Sequence, residues 1–336
     1  MNIKDTVVKN IKNIINVDVN PEDYAFLDNI NVTPILMGFG GSYAYGTNVE
    51  GSDIDIRGIA IRNKDDILLN RDFEQIVNTE TDTTIYSFEK MVKLLINCNP
   101  NTIEILGLRP NQYIYLSDIG KELVENKDMF LSKRCIGSFM GYANQQMYRL
   151  QQKSLVAMSE EALNTHICKT INFMKDDLSK NYNMEGIKFH LKDGKIVMDL
   201  NLDDYPLEDF SNVLGVINKT LRDYAKNSTR NEKALAHNKI SKHAMHLLRL
   251  YMMCEDILLY GEINTYRVKE HDLLMDIRNE KYLGEDGKPI AEFYDIVHEY
   301  EHRIEEAKKI TKIPDEPNFD KINDFIKKVN YKIITA

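Results

Sequence analysis

The stretch GGSYAYGTNVEGSDIDIRGI, Gly40 to Ile59, decides how this chain is read. It opens on a Gly-Gly-Ser turn and closes on two aspartates, Asp53 and Asp55, separated by one isoleucine. In an extended strand successive side chains point to opposite faces, so Asp53, Asp55 and Arg57 share one face and Ile54, Ile56 and Gly58 the other. Two adjacent carboxylates repel, and one of them is expected to keep its proton at neutral pH. A divalent cation removes that conflict, and an all-oxygen ligand set suits magnesium or manganese. The turn supplies the complement. Glycines let the backbone approach a phosphate closely, and backbone N–H groups with the Ser42 hydroxyl offer donors to its oxygens. Phosphate beside a carboxylate-bound metal implies a nucleotide.

Working outward, the text around this stretch has two textures. From Pro34 to about Arg109 it is short-period: the apolar run PILMGFG, the alternating DIDIRGIAI and DTTIYSF, then a helical period in SFEKMVKLLINC. From about Ser117 to Lys328 it turns mostly helical, with apolar residues at threes and fours in RCIGSFMGYANQQMYRL, HAMHLLRLYMMCEDILLYG and EFYDIVHEYEHRIEEA. One hairpin interrupts it: IKFHLKDGKIVMDL carries Asp193-Gly194, a dipeptide suited to a two-residue primed turn. The expected class is α+β, a small mixed-sheet domain over residues 1–115 followed by a mostly helical domain over 116–336. A length of 336 residues fits two domains on a prior of about 150 residues each.

Composition bounds the function classes. Hydrophobic residues are 43% and charged residues 28%, an ordinary soluble balance. A net charge of -9 does not advertise nucleic-acid binding over the whole surface, and it disfavours a long polyanion as partner because few cations are present to displace phosphate counterions. Cys98, Cys135, Cys168 and Cys254 have no paired spacing and sit in apolar helical text, which reads as reduced buried thiols and a cytoplasmic location. Charges interrupt the N-terminal segment, and no window approaches 18 apolar residues, so neither a secretion signal nor a membrane partner is expected.

A lone DxD or a lone Gly-Gly-Ser turn is common; together at this spacing they are specific. Gly41-Ser42, eleven residues, then Asp53-Ile54-Asp55 resembles the hallmark of the DNA polymerase beta superfamily of nucleotidyltransferases. More closely, GSYAYGTNVEGSDIDIRGI, YSFEKMVKLLINCNPNTIEIL and KHAMHLLRLYMMCEDILLYGEI resemble the predicted nucleotidyltransferase family that includes RNA-ligase-associated proteins, a likeness running from roughly Leu36 to Tyr282. The resemblance implies transfer of an NMP from an NTP to an acceptor hydroxyl with release of pyrophosphate, RNA ends being the acceptor that the family association favours. Two metals, Mg2+ or Mn2+, clamp attacking and leaving oxygens in such chemistry. Asp53 and Asp55 would share them, Gly41 and Ser42 would hold the β- and γ-phosphates, and Arg57 would either touch the triphosphate or neutralise Asp55. The alternatives are a nucleotide-binding regulator, or NMP transfer onto a protein or small molecule.

That chemistry requires a third carboxylate, for which Glu80, Asp82 and Glu104 are candidates. Taken as one strand beside Asp53–Ile61, NTETDTTIYSF puts Glu80, Asp82, Thr84 and Tyr86 on one face. Asp82 is favoured because it lies nearer the apolar TIY run, has less rotamer freedom to lose, and matches the aspartate that the resembling family carries before such a segment. Its expected role is metal ligand and base for the acceptor hydroxyl. In the helical half, Lys239, Lys242, His246 and Arg249 recur at three, four and three, a cationic face that would bind phosphate of NTP or RNA, or else be a solvated helix face. Tyr142, Gln145, Arg149 and Gln152 similarly gather on one helix, where Tyr and Arg would stack on a base unless Tyr142 is core.

Overall fold

The computed structural model describes residues 2–335 apart from 157–163, 165, 166, 169, 170, 173, 174, 176, 177, 180, 194, 236–238 and 286. An N-terminal region built on a mixed five-stranded sheet precedes a mostly helical remainder, the α+β class expected. The apolar run VTPILMGF forms β1 (Val32–Phe39), whose last six residues are buried. A strand covered on both sides needs such a continuous run rather than alternation. It pairs antiparallel with β2 (Ile56–Arg62), and the register shifts between Pro34 and Leu36. Proline offers no N–H to a ladder, and an irregularity there accommodates it.

The other strands are β3 (Gln75–Asn78), β4 (Thr83–Ser87) and β5 (Tyr113–Leu116), in the order β3-β4-β2-β1-β5. β3 and β4 form an antiparallel hairpin, β5 runs antiparallel to β1, and β2 and β4 are parallel, with Ile56 opposite Thr83. NTETDTTIYSF is therefore not one strand. Residues 79–82 are the hairpin turn, and Glu80 and Asp82 do not share a strand face. Strand β2 likewise begins at Ile56, so Asp53 and Asp55 lie on the chain leading into it.

One sheet face is closed by α1 (Ile3–Ile15) and the segment Pro21–Asp28, which bury Val7, Ile11, Tyr24 and Leu27 against Met37, Phe39, Ile56, Ala60, Ile85 and Ile114. Ser87 ends β4 and caps the helix Phe88–Ile96, its hydroxyl accepting from the Lys90 N–H at 3.1 Å. That helix buries Phe88, Met91, Val92 and Leu95, the three-four apolar period of its sequence. The hairpin read at Asp193 forms from strands Ile187–Lys192 and Lys195–Leu200.

The chain divides into two compact units, one of residues 1–144, 247–276 and 296–336, the other of 145–246 and 277–295. The four cysteines are buried free thiols. Among the described residues, no helix is long and apolar enough to cross a membrane.

Candidate active site at the Gly-Gly-Ser turn

The turn after β1 continues as a five-residue helix, α2 (Gly41–Tyr45). Gly41 has φ +51, and a Cβ there would lie 1.8 Å from Asp55 Oδ2, so both backbone conformation and space demand glycine. The Gly40 N–H donates to the Asp55 carbonyl at 2.8 Å, which locks the turn to the chain entering β2. At the other end every carbonyl from Ser42 to Tyr45 is met. Ser42 accepts from the Thr47 N–H at 2.9 Å, Tyr43 and Ala44 from the buried Gln112 amide at 2.7 and 3.0 Å, and Tyr45 from the Arg267 N–H at 3.4 Å. The leading N–H groups of a helix have no intrahelical acceptor.

The parallel register brings the carboxylates together. With Ile56 opposite Thr83, the residues one step earlier, Asp55 and Asp82, meet, and the Ile56 N–H donates to the Asp82 carbonyl at 3.1 Å. Their carboxyl groups share a hydrogen bond. Burial, then the hydrogen bond and charge of Asp82, push Asp55 up to about 7, against the pull of Arg57. Asp82 moves the other way, held below the usual carboxylate range chiefly by that same hydrogen bond. The pair thus shares one proton close to neutral pH. Arg57 spans both: its Nη2 lies 3.5 Å from Asp55 Oδ1, and its Nη1 lies 3.2 Å from Asp82 Oδ1 and donates to the Asp82 carbonyl at 2.8 Å. Asp82 itself has φ +42, an uncommon conformation that aspartate tolerates better than most residues.

Asp53, two residues before Asp55, is exposed and lines with Asp18, Asp23, Glu80 and Asp82 an acidic cleft of about 490 Å³. Two carboxylates that share a proton are a donor set a divalent cation relieves, which fits the metal expected here. Among the described residues, no three His, Cys, Asp or Glu side chains are already grouped as a metal cage.

The rival third carboxylates go elsewhere. Glu80 is exposed in the hairpin turn, its N–H donating to Asn78 Oδ1 at 3.0 Å. Glu104 is half-buried; it accepts from the Tyr45 hydroxyl at 2.6 Å, and desolvation pushes it up while Arg249, Tyr45 and Arg57 pull it down. Asp82 alone of the three reaches Asp55, but by register and not through the shared strand face the sequence suggested.

The cationic helix face is not a single surface. Lys242 is exposed and His246 half-buried, but Arg249 is 7% exposed and stacks on the Tyr45 ring, its Cζ 3.3 Å from the centroid. Lys239 has no described side chain. Arg249 is thus a buried partner of α2 and no part of a solvated stripe, because apolar neighbours such as Leu247, Leu248 and Leu250 bury its turn of the helix. Tyr142 accepts from Asn99 Nδ2 at 3.0 Å, Gln145 and Arg149 are exposed, and the Gln152 side chain lies outside the described residues. Sequence reading missed Tyr45, Gln112 and Arg267. The one available signal was Tyr45, a turn of helix beyond Ser42 in the stretch first quoted.

Residues 25–170 match the RNA repair pathway DNA polymerase beta family. The matched span holds the turn, both aspartates of DxD, Arg57 and Asp82. No curated protein and no solved structure matches the chain.

Proposed function

We propose, starting from the match of residues 25–170 to the RNA repair pathway DNA polymerase beta family, that the chain moves an NMP from an NTP to a hydroxyl acceptor at an RNA end and releases pyrophosphate. The observation that carries this reading is the Asp55 carboxylate lying directly against the Gly41 turn, with Arg57 bridging it to Asp82. Asp53, Asp55 and Asp82 would hold magnesium or manganese, which supplies charge neutralisation at the reacting phosphate and its oxygens. Gly41 and Ser42 hold the β- and γ-phosphates through backbone N–H groups and the hydroxyl. Asp82 takes the acceptor proton as the new P–O bond forms and the bond to pyrophosphate breaks. Arg57 keeps the two aspartates in place and offsets their charge. The proposed setting is the cytoplasm, which suits four reduced buried thiols.

A second reading has one observation behind it. The cleft beside Asp82 carries Asp18, Asp23, Asp53 and Glu80, a surface that repels a polyanion and favours a protein or small-molecule hydroxyl. One experiment separates the two. The protein is incubated with each α-labelled NTP and magnesium, together with RNA ending in a 3′-hydroxyl, the same RNA ending in a 3′-phosphate, or RNA-free extract. Label on the 3′-hydroxyl RNA alone is the expected result; label confined to extract protein or small molecules overturns the RNA acceptor.

A further inference from the structure

Arg249, buried, and Glu104, half-buried, are charges beside the site that the proposed chemistry leaves idle. Both converge on α2. The Tyr45 hydroxyl donates to Glu104 Oε2 at 2.6 Å, and the Arg249 Cζ lies over the same ring, 3.3 Å from its centroid. The Glu104 carbonyl is in turn held by the Thr265 hydroxyl at 2.7 Å, two residues from the Arg267 N–H that meets Tyr45. A five-residue helix has too few internal bonds to hold its own orientation, so these contacts set it. At the opposite end of α2, Gly41 touches the Asp55 carboxylate so closely that no Cβ fits. Any tilt of α2 about Tyr45 therefore shifts the turn against Asp55.

We infer that Glu104 is a positioning residue: through the Tyr45 hydroxyl, and with Arg249 stacked on that ring, it fixes the Gly-Gly-Ser turn against Asp55 and so sets where the triphosphate sits. This rests on the nucleotidyltransferase reading of the site. It also separates Glu104 from the metal-ligand role, since its carboxylate is engaged by the Tyr45 hydroxyl and does not stand beside Asp55. A carboxylate is not essential to such a role. An amide oxygen accepts the same hydrogen bond, so the conservative variant distinguishes positioning from catalysis.

The test compares Tyr45→Phe, Glu104→Gln and Glu104→Leu in steady-state transfer and in titration with a fluorescent trinitrophenyl ATP. Tyr45→Phe and Glu104→Leu should raise the NTP KM and the Kd of the analogue roughly tenfold with kcat within about threefold of the parent, while Glu104→Gln stays near the parent in all three. Should Glu104→Leu fail to fold, the other two variants decide. Loss of turnover in Glu104→Gln overturns the inference by putting the carboxylate in the chemistry. A parent KM and Kd in Tyr45→Phe, with only a lower Tm, overturns it by making the contact merely structural. A parent that neither transfers NMP nor binds the analogue overturns the reading of the site and the inference with it; a parent active on both counts leaves the inference to stand or fall on the variants.

Discussion

Asp55 shows how a single side chain ties stability to chemistry. Its folded-state pKa, about 7, lies above the ordinary aspartate value of 3.8. Between those values the folded protein keeps a proton that the unfolded chain has released, so stability from this group is present at the acid side and declines as pH rises toward 7. A divalent cation must displace that proton, so metal affinity should climb with pH, by up to about tenfold per unit, and level off above 7. Asp55→Asn keeps a hydrogen bond to Asp82 without the buried charge. It should raise the Tm in EDTA at pH 8 by roughly 2–4 °C, flatten the dependence of Tm on pH between 5 and 7, and abolish magnesium-dependent transfer. Differential scanning fluorimetry across pH checks the first two; a Tm that falls instead would show that the pair is a structural ion cluster.

At the scale of elements, the hairpin between β3 and β4 does more than reverse the chain. Its last residue, Asp82, stands one step before the parallel pairing of β4 with β2, which is what sets its carboxylate beside Asp55. Its φ of +42 is tolerated by Asn and Asp and strained for alanine. Asp82→Asn should therefore fold with a Tm close to the parent and lose turnover by orders of magnitude while sparing NTP binding. Asp82→Ala should lose turnover and in addition about 1 kcal/mol of stability, read from urea midpoints. Equal midpoints for the two variants would mean that the turn carries no backbone constraint at this residue.

At the scale of the whole molecule, residues 247–276 belong to the same compact unit as the sheet, although they follow it by well over a hundred residues. Arg249 is the clearest product of that return. Arg249→Ala removes the contact with the Tyr45 ring and one of the charges that compensate half-buried Glu104, and should cost about 3 kcal/mol; Arg249→Lys should recover little, since an ammonium cannot reproduce a guanidinium's contact with a ring face. Lys242→Ala, at an exposed side chain of the same helix, should stay within about 0.5 kcal/mol of the parent. Chemical denaturation of the three variants checks this, and similar losses in Lys242→Ala and Arg249→Ala would return both residues to one solvated face.

What the sequence determined by itself was local. The Gly-Gly-Ser turn, the DxD spacing, the long apolar run of β1 and the three-four helical periods are each written within one segment of chain, where steric rules and periodicity act directly. The α+β class follows from them. Tertiary structure decided how distant groups meet: Asp82, the carboxylate the sequence favoured, at Asp55 by strand register, Glu104 and Arg249 behind the turn rather than in the cleft or on the surface, and Gln112 and Arg267 on the carbonyls of α2. Those outcomes rest on strand register and on burial, both set by pairings between residues far apart in the chain, and a period of two or three and a half carries no information about its partner.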